Sequence, residues 1–278
     1  MPEADLAALA ASDWWRGGVP ESLAVTEELF GRLLAGGQER TAALRATELA
    51  LQWSTRGDLL VASGWLNRAR RLLAALPEGP EHGYLLYLEA VADGDMEADP
   101  AAARTAAARL HDWASRFGDP ALGCIAHVVT GLAELRAGQA GAGFNELDEA
   151  MLPVLAGSVP PLFAGDIYCT VIHTCHLIND LARMRAWTQA LAGWSAIHPP
   201  QFMYASVTRV HQLQLTGAEG GWDAVEADIG ASSESLADAH SWMAGAGFYE
   251  LGEVHRLRGR HRQALAAFGR ARELGVDP

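Results

Sequence analysis

The chain has 278 residues, half of them hydrophobic, and its 21 basic and 34 acidic side chains give a net charge of −13. This acidic balance argues against direct nucleic-acid binding, and no apolar stretch reaches the roughly 18 residues that a membrane span needs. The start of the chain lacks the basic segment of a secretory signal, and three cysteines without paired spacing suit a reduced compartment, so we expect a cytoplasmic protein without membrane contact.

Segments rich in Ala and Leu follow one another along the chain, as expected of helices, and turn residues separate them. The first clear helix is predicted from about Glu21 to Gly36-Gly37. Later helix ends are predicted, in chain order, at Gly57, Gly94, Gly118, Gly138, Gly157, Asn179, Pro199-Pro200, Gly217 and Gly259. Strand-like alternation is absent from the sequence. These signals predict an all-α chain of about fourteen helices, or seven helix pairs.

Three of these segments align without gaps on a glycine followed by small, large and small residues. The aligned sets are Gly57, Ala62, Leu66 and Ala69; Gly138, Gly143, Leu147 and Ala150; and Gly259, Ala264, Phe268 and Ala271. The glycine is expected to end one helix in a left-handed turn, and the small residues to let the next helix pack closely. Before Gly259, the residues Phe248, Leu251 and Gly252 extend the pattern, which resembles the tetratricopeptide repeat.

That resemblance implies a right-handed solenoid of about seven helix pairs, in which each pair packs on its neighbours. We expect one repeat domain over residues 1–278. Within it, residues 1–37 would form an amino-terminal capping pair, with Trp14 and Trp15 sealing the first repeat. Residues 38–156 would present apolar side chains on the concave surface, and residues 160–278 polar ones.

A more specific resemblance covers nearly the whole chain in order. The segments that carry it are Ala62–Leu73, Leu147–Met151 (LDEAM), Gly165–Cys169 (GDIYC) and Tyr249–Arg260 (YELGEVHRLRGR). They are similar to blocks of actinobacterial LuxR-type transcriptional regulators, in which the helical repeat array is the regulatory part and a separate helix-turn-helix domain binds DNA. The sequence shows no helix-turn-helix and no phosphate-binding loop, which would require a lysine that it lacks. The chain is thus expected to be a regulatory region or a stand-alone relative.

The first helix of each tetratricopeptide pair lines the concave surface, and this frame predicts the candidate binding residues. They are Asp166, Cys169, His173, His176, Tyr204, His211, Tyr249, Glu253 and Arg256. His173, His211 and Glu253 would form a polar row across three neighbouring helices. This row would serve a ligand pocket, or its members would simply be hydrated on an exposed wall. A metal on the face shared by Cys169, His173 and His176 is a weaker alternative.

The sequence contains neither the G-x-S-x-G motif of a nucleophilic serine nor the H-E-x-x-H motif of a metalloprotease. We therefore expect a non-catalytic chain without a cofactor. It would bind a small-molecule effector, or a peptide or protein partner, and a homodimer is possible. The leading hypothesis is the sensing part of a LuxR-like regulator. The alternative is a protein–protein scaffold that binds a peptide or helix on its concave surface. The third and weakest hypothesis is an enzyme or metalloprotein that uses the face of Cys169, His173 and His176. The tryptophans on or beside the carboxy-terminal polar repeats could frame the mouth of a pocket; they are Trp187, Trp194, Trp222 and Trp242.

Overall fold

A computed structural model describes residues 1–91, 99–197 and 203–276, and in these ranges the chain forms fourteen α helices and no strand. They are α1 (Glu3–Trp15), α2 (Val19–Ala35), α3 (Glu39–Thr55), α4 (Leu59–Leu73), α5 (Pro80–Val91), α6 (Pro100–Phe117), α7 (Pro120–Arg136), α8 (Ala140–Leu155), α9 (Pro161–Leu177), α10 (Leu181–Ala196), α11 (Met203–Ala218), α12 (Trp222–Glu234), α13 (Ser241–Leu257) and α14 (His261–Glu273). The predicted all-α class is confirmed. The predicted turns at Gly94 and Pro199-Pro200 lie outside the described residues.

The helix ends follow local backbone chemistry. The three aligned glycines, Gly57, Gly138 and Gly259, have φ values of 86°, 78° and 71°, which confirms the predicted left-handed turns. Asn179 takes the same conformation with φ 61°, as its short polar side chain allows. At the start of α7, the Asp119 carboxylate accepts a hydrogen bond from the Ala121 backbone N–H at 2.9 Å.

The prediction that Gly217 ends its helix is wrong. Gly217 lies inside α11, and the left-handed residue that follows this helix is Gly220, with φ 88°. A Cβ atom at Gly217 would come within 2.8 Å of Glu250 Oε1 of α13. The glycine at this position thus allows α13 to approach α11 closely, rather than forming the turn.

Close packing of small residues joins the helices of a pair. In α7 and α8, a Cβ atom added to Gly131 would lie 2.9 Å from the Gly143 carbonyl oxygen, so the two backbones nearly touch. In α13 and α14, a Cβ atom at Gly252 would clash with the Phe268 ring. The aligned small and large positions therefore pack as the spacing predicts in these pairs.

The chain divides into two compact units. Unit 1 consists of Met1–Thr26, Gln52–Ala62 and Ile172–Pro278, and unit 2 consists of Glu27–Leu51 and Ser63–Val171. In unit 1 a core cluster of Leu213, Val225, Ile229 and Val254 joins α11, α12 and α13. In unit 2 the helices α5 to α8 pack in chain order. The prediction of one repeat domain with boundaries at 37 and 156 stays a prediction.

The two tryptophans of α1 were predicted to seal the first repeat. In the structure they also contact residues late in the chain. The Trp14 ring, 5% exposed, packs edge-on against Tyr204 at a centroid distance of 5.9 Å. Trp15 packs against Trp194 at 5.8 Å. Tyr204 and Trp194, themselves 5.4 Å apart, offer a complementary aromatic surface to α1. Unit 1 therefore contains contacts between the first helix and two helices late in the chain.

None of the described helices is both long and apolar enough to cross a membrane.

Candidate functional site

Three of the predicted site residues meet inside unit 1, together with a carboxyl group that the sequence frame did not select. We call His173, His176, His211 and Glu250 the imidazole–carboxyl cluster. The first two lie on α9, His211 lies on α11 and Glu250 lies on α13. These are the first helices of three consecutive predicted pairs, and the structure brings the three histidines near one another.

His211 is the most deeply buried member, with 0% of its surface exposed. Its Nδ1 atom lies 3.0 Å from Gln214 Oε1. Because a side-chain carbonyl oxygen can only accept, Nδ1 carries the proton of the neutral ring. The opposite nitrogen, Nε2, is then an acceptor, and it is buried without a hydrogen-bond partner among the described residues.

Burial keeps these imidazoles neutral. Desolvation is the largest cause of the lowered pKa of His211, which is about 3. The contact with Gln214 raises this pKa, whereas the neighbouring histidines lower it further; they are His173, His240 and His176. Burial, then His176, lowers the pKa of His173 to about 4. At neutral pH the cluster therefore presents uncharged rings that accept hydrogen bonds.

The outer part of the cluster is formed by His173, His176 and Glu250. The His173 ring packs edge-on against Trp242 with centroids 4.4 Å apart. His176 Nε2 lies 3.8 Å from Glu250 Oε2, and burial lowers the pKa of His176. Burial, assisted by the negative charge of Glu253, raises the pKa of Glu250 to about 7. This carboxyl group can hence either donate or accept a hydrogen bond near neutral pH.

The predicted binding residues did not include Glu250, Gln214 or His240, although the repeat frame also places Gln214 on the concave surface. His240 directly precedes α13, and burial lowers its pKa to about 4. Its ring lies 6.4 Å from the predicted site residue Tyr204, which is 2% exposed. No signal in the sequence selected Glu250, because Gly217, which leaves room for the Glu250 carboxyl group, was predicted to end its helix.

Two predicted residues belong to unit 2. The Asp166 carboxylate accepts a hydrogen bond from the Tyr87 hydroxyl at 2.6 Å, and burial raises the pKa of Asp166 to about 6. Cys169 is 6% exposed, and burial raises the pKa of its thiol well above its ordinary value. A thiol held in its protonated form is a poor metal ligand.

The remaining predicted residues on α13, Tyr249, Glu253 and Arg256, make contacts outside the cluster. Arg256 donates two hydrogen bonds to the Glu253 carboxylate, at 2.8 and 2.7 Å, on the exposed side of the helix. The Tyr249 ring packs near Phe268 at 5.7 Å. Glu250, three residues earlier than Glu253, supplies the acidic group instead. Simple hydration on an exposed wall does not describe this site, since His211 and Tyr204 are 0% and 2% exposed.

A recess of about 610 Å³ runs along α6 in unit 2. Three arginines line it, but Arg104 is bound to Glu134 at 2.8 Å and Arg116 to Glu78 at 2.8 Å. The third, Arg109, lies over the Trp113 ring at 4.6 Å. Since carboxylates already neutralise two of the guanidinium groups, the recess offers little attraction for an anion.

No family model matches the chain, and neither does any curated protein or solved structure. The imidazole–carboxyl cluster must therefore be judged by its own geometry. It combines buried hydrogen-bond acceptors, a carboxyl group of near-neutral pKa and an aromatic wall at Trp242. Such a set suits the binding of a small polar molecule.

Proposed function

We propose that this chain is a non-catalytic, effector-sensing repeat domain of the kind found in LuxR-type transcriptional regulators, and that the imidazole–carboxyl cluster binds the effector. The observation that supports it is the buried His211 Nε2 acceptor without a partner. A buried polar atom left in this state costs about 1–3 kcal/mol of stability. An apolar residue would avoid that cost, and such local penalties are typical of functional sites.

The tautomer of His211 specifies what the effector must carry. Since Nε2 accepts, the effector has to donate a hydrogen bond, through a hydroxyl or an amino group. Glu250 offers a second polar contact of either polarity near neutral pH. A small hydroxylated or amino compound with an apolar part for Trp242 fits this set of contacts.

The aligned glycine turns and close-packed pairs support a tetratricopeptide-like arrangement as the finer description of the helices. In such an array each pair is stabilised by its neighbours. An effector held by α9, α11 and α13 would contact three consecutive pairs. It would therefore favour the arrangement in which those three helices bind it best, which is the physical basis for sensing.

Calorimetric titration of the purified chain with polyols, monosaccharides and primary amines tests this proposal. His211→Asn keeps a donor near Gln214 but removes Nε2, and Glu250→Gln removes the titrating carboxyl group. Glu253→Gln, three residues away on the exposed face of α13, is the matched control. We expect a compound that binds the wild type and Glu253→Gln equally, and binds the other two variants about tenfold or more weakly.

The proposal would be overturned if no compound of these classes bound, or if every binding compound bound all four proteins equally. Circular dichroism of each variant shows that a loss of affinity is not a loss of folding.

A further inference from the structure

In unit 2, two histidines and a glutamate from three successive helices converge at the surface. His111 lies on α6, His127 on α7 and Glu146 on α8. One potential ligand atom from each residue can be chosen so that all three lie within 4.8 Å of one another. None of these residues was predicted from the sequence to belong to a site, because they are far apart in the chain and follow no metal-binding motif.

Direct contacts hold the three side chains together. His127 Nδ1 lies 2.7 Å from Glu146 Oε2. The His111 and His127 rings meet edge-to-face, with centroids 5.1 Å apart and planes at 84°. The site is accessible, because His111 is exposed and the side chains of His127 and Glu146 are each 35% exposed.

A contact outside the trio orients the His111 ring. Its Nε2 atom lies 3.2 Å from the Thr130 hydroxyl oxygen, and that hydroxyl donates its own proton to the Ala126 carbonyl at 2.8 Å. An outer hydrogen bond that fixes ring orientation is a usual companion of metal-binding histidines. Burial, and then the neighbouring His127, lowers the pKa of His111, so that its ring is neutral at physiological pH.

We propose that His111, His127 and Glu146 form a binding site for a divalent transition-metal ion such as Zn²⁺. Two imidazole nitrogens and one carboxylate oxygen are ligands that Zn²⁺ favours, and three protein ligands leave a position for water. In a tetrahedral site with bonds of about 2.0–2.1 Å the ligand atoms lie about 3.3 Å apart. Small side-chain rotations bring the three groups to that spacing, and the ion would replace the hydrogen bond between His127 Nδ1 and Glu146 Oε2.

The site goes beyond the proposed effector function and does not depend on it. Its ion would connect α6, α7 and α8, so that it would stabilise this part of unit 2 when bound. The ligands come from three helices, and removal of any one of them should weaken the site without disturbing the core, since the side chains are exposed or half-buried.

Titration of the full chain with ZnCl₂ by calorimetry tests the site. The variants are His111→Ala, His127→Ala and Glu146→Gln, and the control is His261→Ala, which removes an exposed histidine of α14. We expect one Zn²⁺ per wild-type and per His261→Ala chain, and affinity about tenfold or more weaker in all three ligand variants. Co²⁺ replacement should give the intense visible absorption of a four- or five-coordinate ion.

Equal Zn²⁺ affinity of the wild type, His111→Ala and His127→Ala would overturn the proposal. So would the absence of binding to the wild type at about 100 μM Zn²⁺, which is well above the Kd expected of a specific site. Far-UV circular dichroism of the metal-free variants separates loss of the site from loss of structure.

Discussion

At the scale of residues, the imidazole–carboxyl cluster couples stability to pH through groups of opposite behaviour. The pKa values of His173 and His211 are lowered to about 4 and about 3, so their neutral forms stabilise the fold above about pH 6.5, and this contribution is lost as the pH falls. Glu250 acts in the other direction, because its pKa is raised to about 7. Its protonated form stabilises the fold at low pH, and the contribution is lost as the pH rises towards 7.

A single substitution separates the titration of Glu250 from that of the histidines. Glu250→Gln removes the titration, so the difference in the free energy of unfolding between wild type and variant should change by about 1–3 kcal/mol between pH 5 and pH 8, with the wild type favoured at pH 5. Urea denaturation at both pH values measures it. Glu253→Gln removes only the smaller of the two causes that raise the pKa of Glu250, so its pH dependence should lie closer to that of the wild type than the pH dependence of Glu250→Gln does. A Glu250→Gln curve parallel to wild type would refute the burial of a titrating carboxyl group.

The sequence predicted the histidines of the cluster but not its carboxyl group. His173, His176 and His211 were selected by repeat spacing and do meet, because helix periodicity determines which side chains share a face. The same rule could not choose between Glu250 and Glu253. They are less than one turn apart, and the choice depends on the surface partner Arg256 and on the space that Gly217 leaves beside α11.

At the scale of helices and helix pairs, close packing depends on small residues at particular positions. Gly252 of α13 touches the Phe268 ring of α14, whereas Gly269 of α14 has open space where a Cβ atom would lie. We therefore predict opposite effects of the same substitution. Gly252→Ala should destabilise by about 1–3 kcal/mol through overpacking, and Gly269→Ala should stabilise by about 0.5–1 kcal/mol through helix propensity.

Chemical denaturation of the two glycine variants at pH 7 provides the measurement. Adding Phe268→Leu to Gly252→Ala should recover part of the loss, because the smaller side chain makes room for the new methyl group. Similar stability of the two single variants would show that α13 and α14 do not pack as closely as described.

Helix ends were the most predictable elements, and their chemistry explains why. The left-handed conformation at Gly57, Gly138 and Gly259 depends only on the residue and its immediate neighbours. Gly217 was misplaced because a glycine inside a helix and a glycine after one cannot be told apart without the neighbouring α13.

For the molecule as a whole, the contacts of α1 were the least predictable feature. In a linear repeat array each repeat contacts only its sequence neighbours, and the packing of Trp14 on Tyr204 within unit 1 is not a contact of that kind. Nothing in local periodicity indicates which distant aromatic side chain a tryptophan will meet. Only the folded unit shows that the partners are Tyr204 and Trp194.

The corresponding prediction concerns the first helix. Trp14→Ala removes a ring that is 5% exposed and should lower the free energy of unfolding by about 3–5 kcal/mol. Leu9→Ala, at a position of the same helix that is 36% exposed, should cost much less. Urea denaturation compares them, and equal losses would mean that α1 is not anchored through Trp14.

The central claim is that unit 1 holds a buried, unfilled acceptor at His211 Nε2 that an effector completes. Long-range proton–nitrogen NMR of the histidine rings tests this most directly, because it reports the protonation of each ring nitrogen. We predict that His211 stays neutral down to about pH 5 with its proton on Nδ1, and that a bound hydroxylated or amino compound shifts its Nε2 signal but not that of the exposed His261. Titration of His211 near pH 6.5, or an Nε2 signal unmoved by a compound that binds, would contradict it.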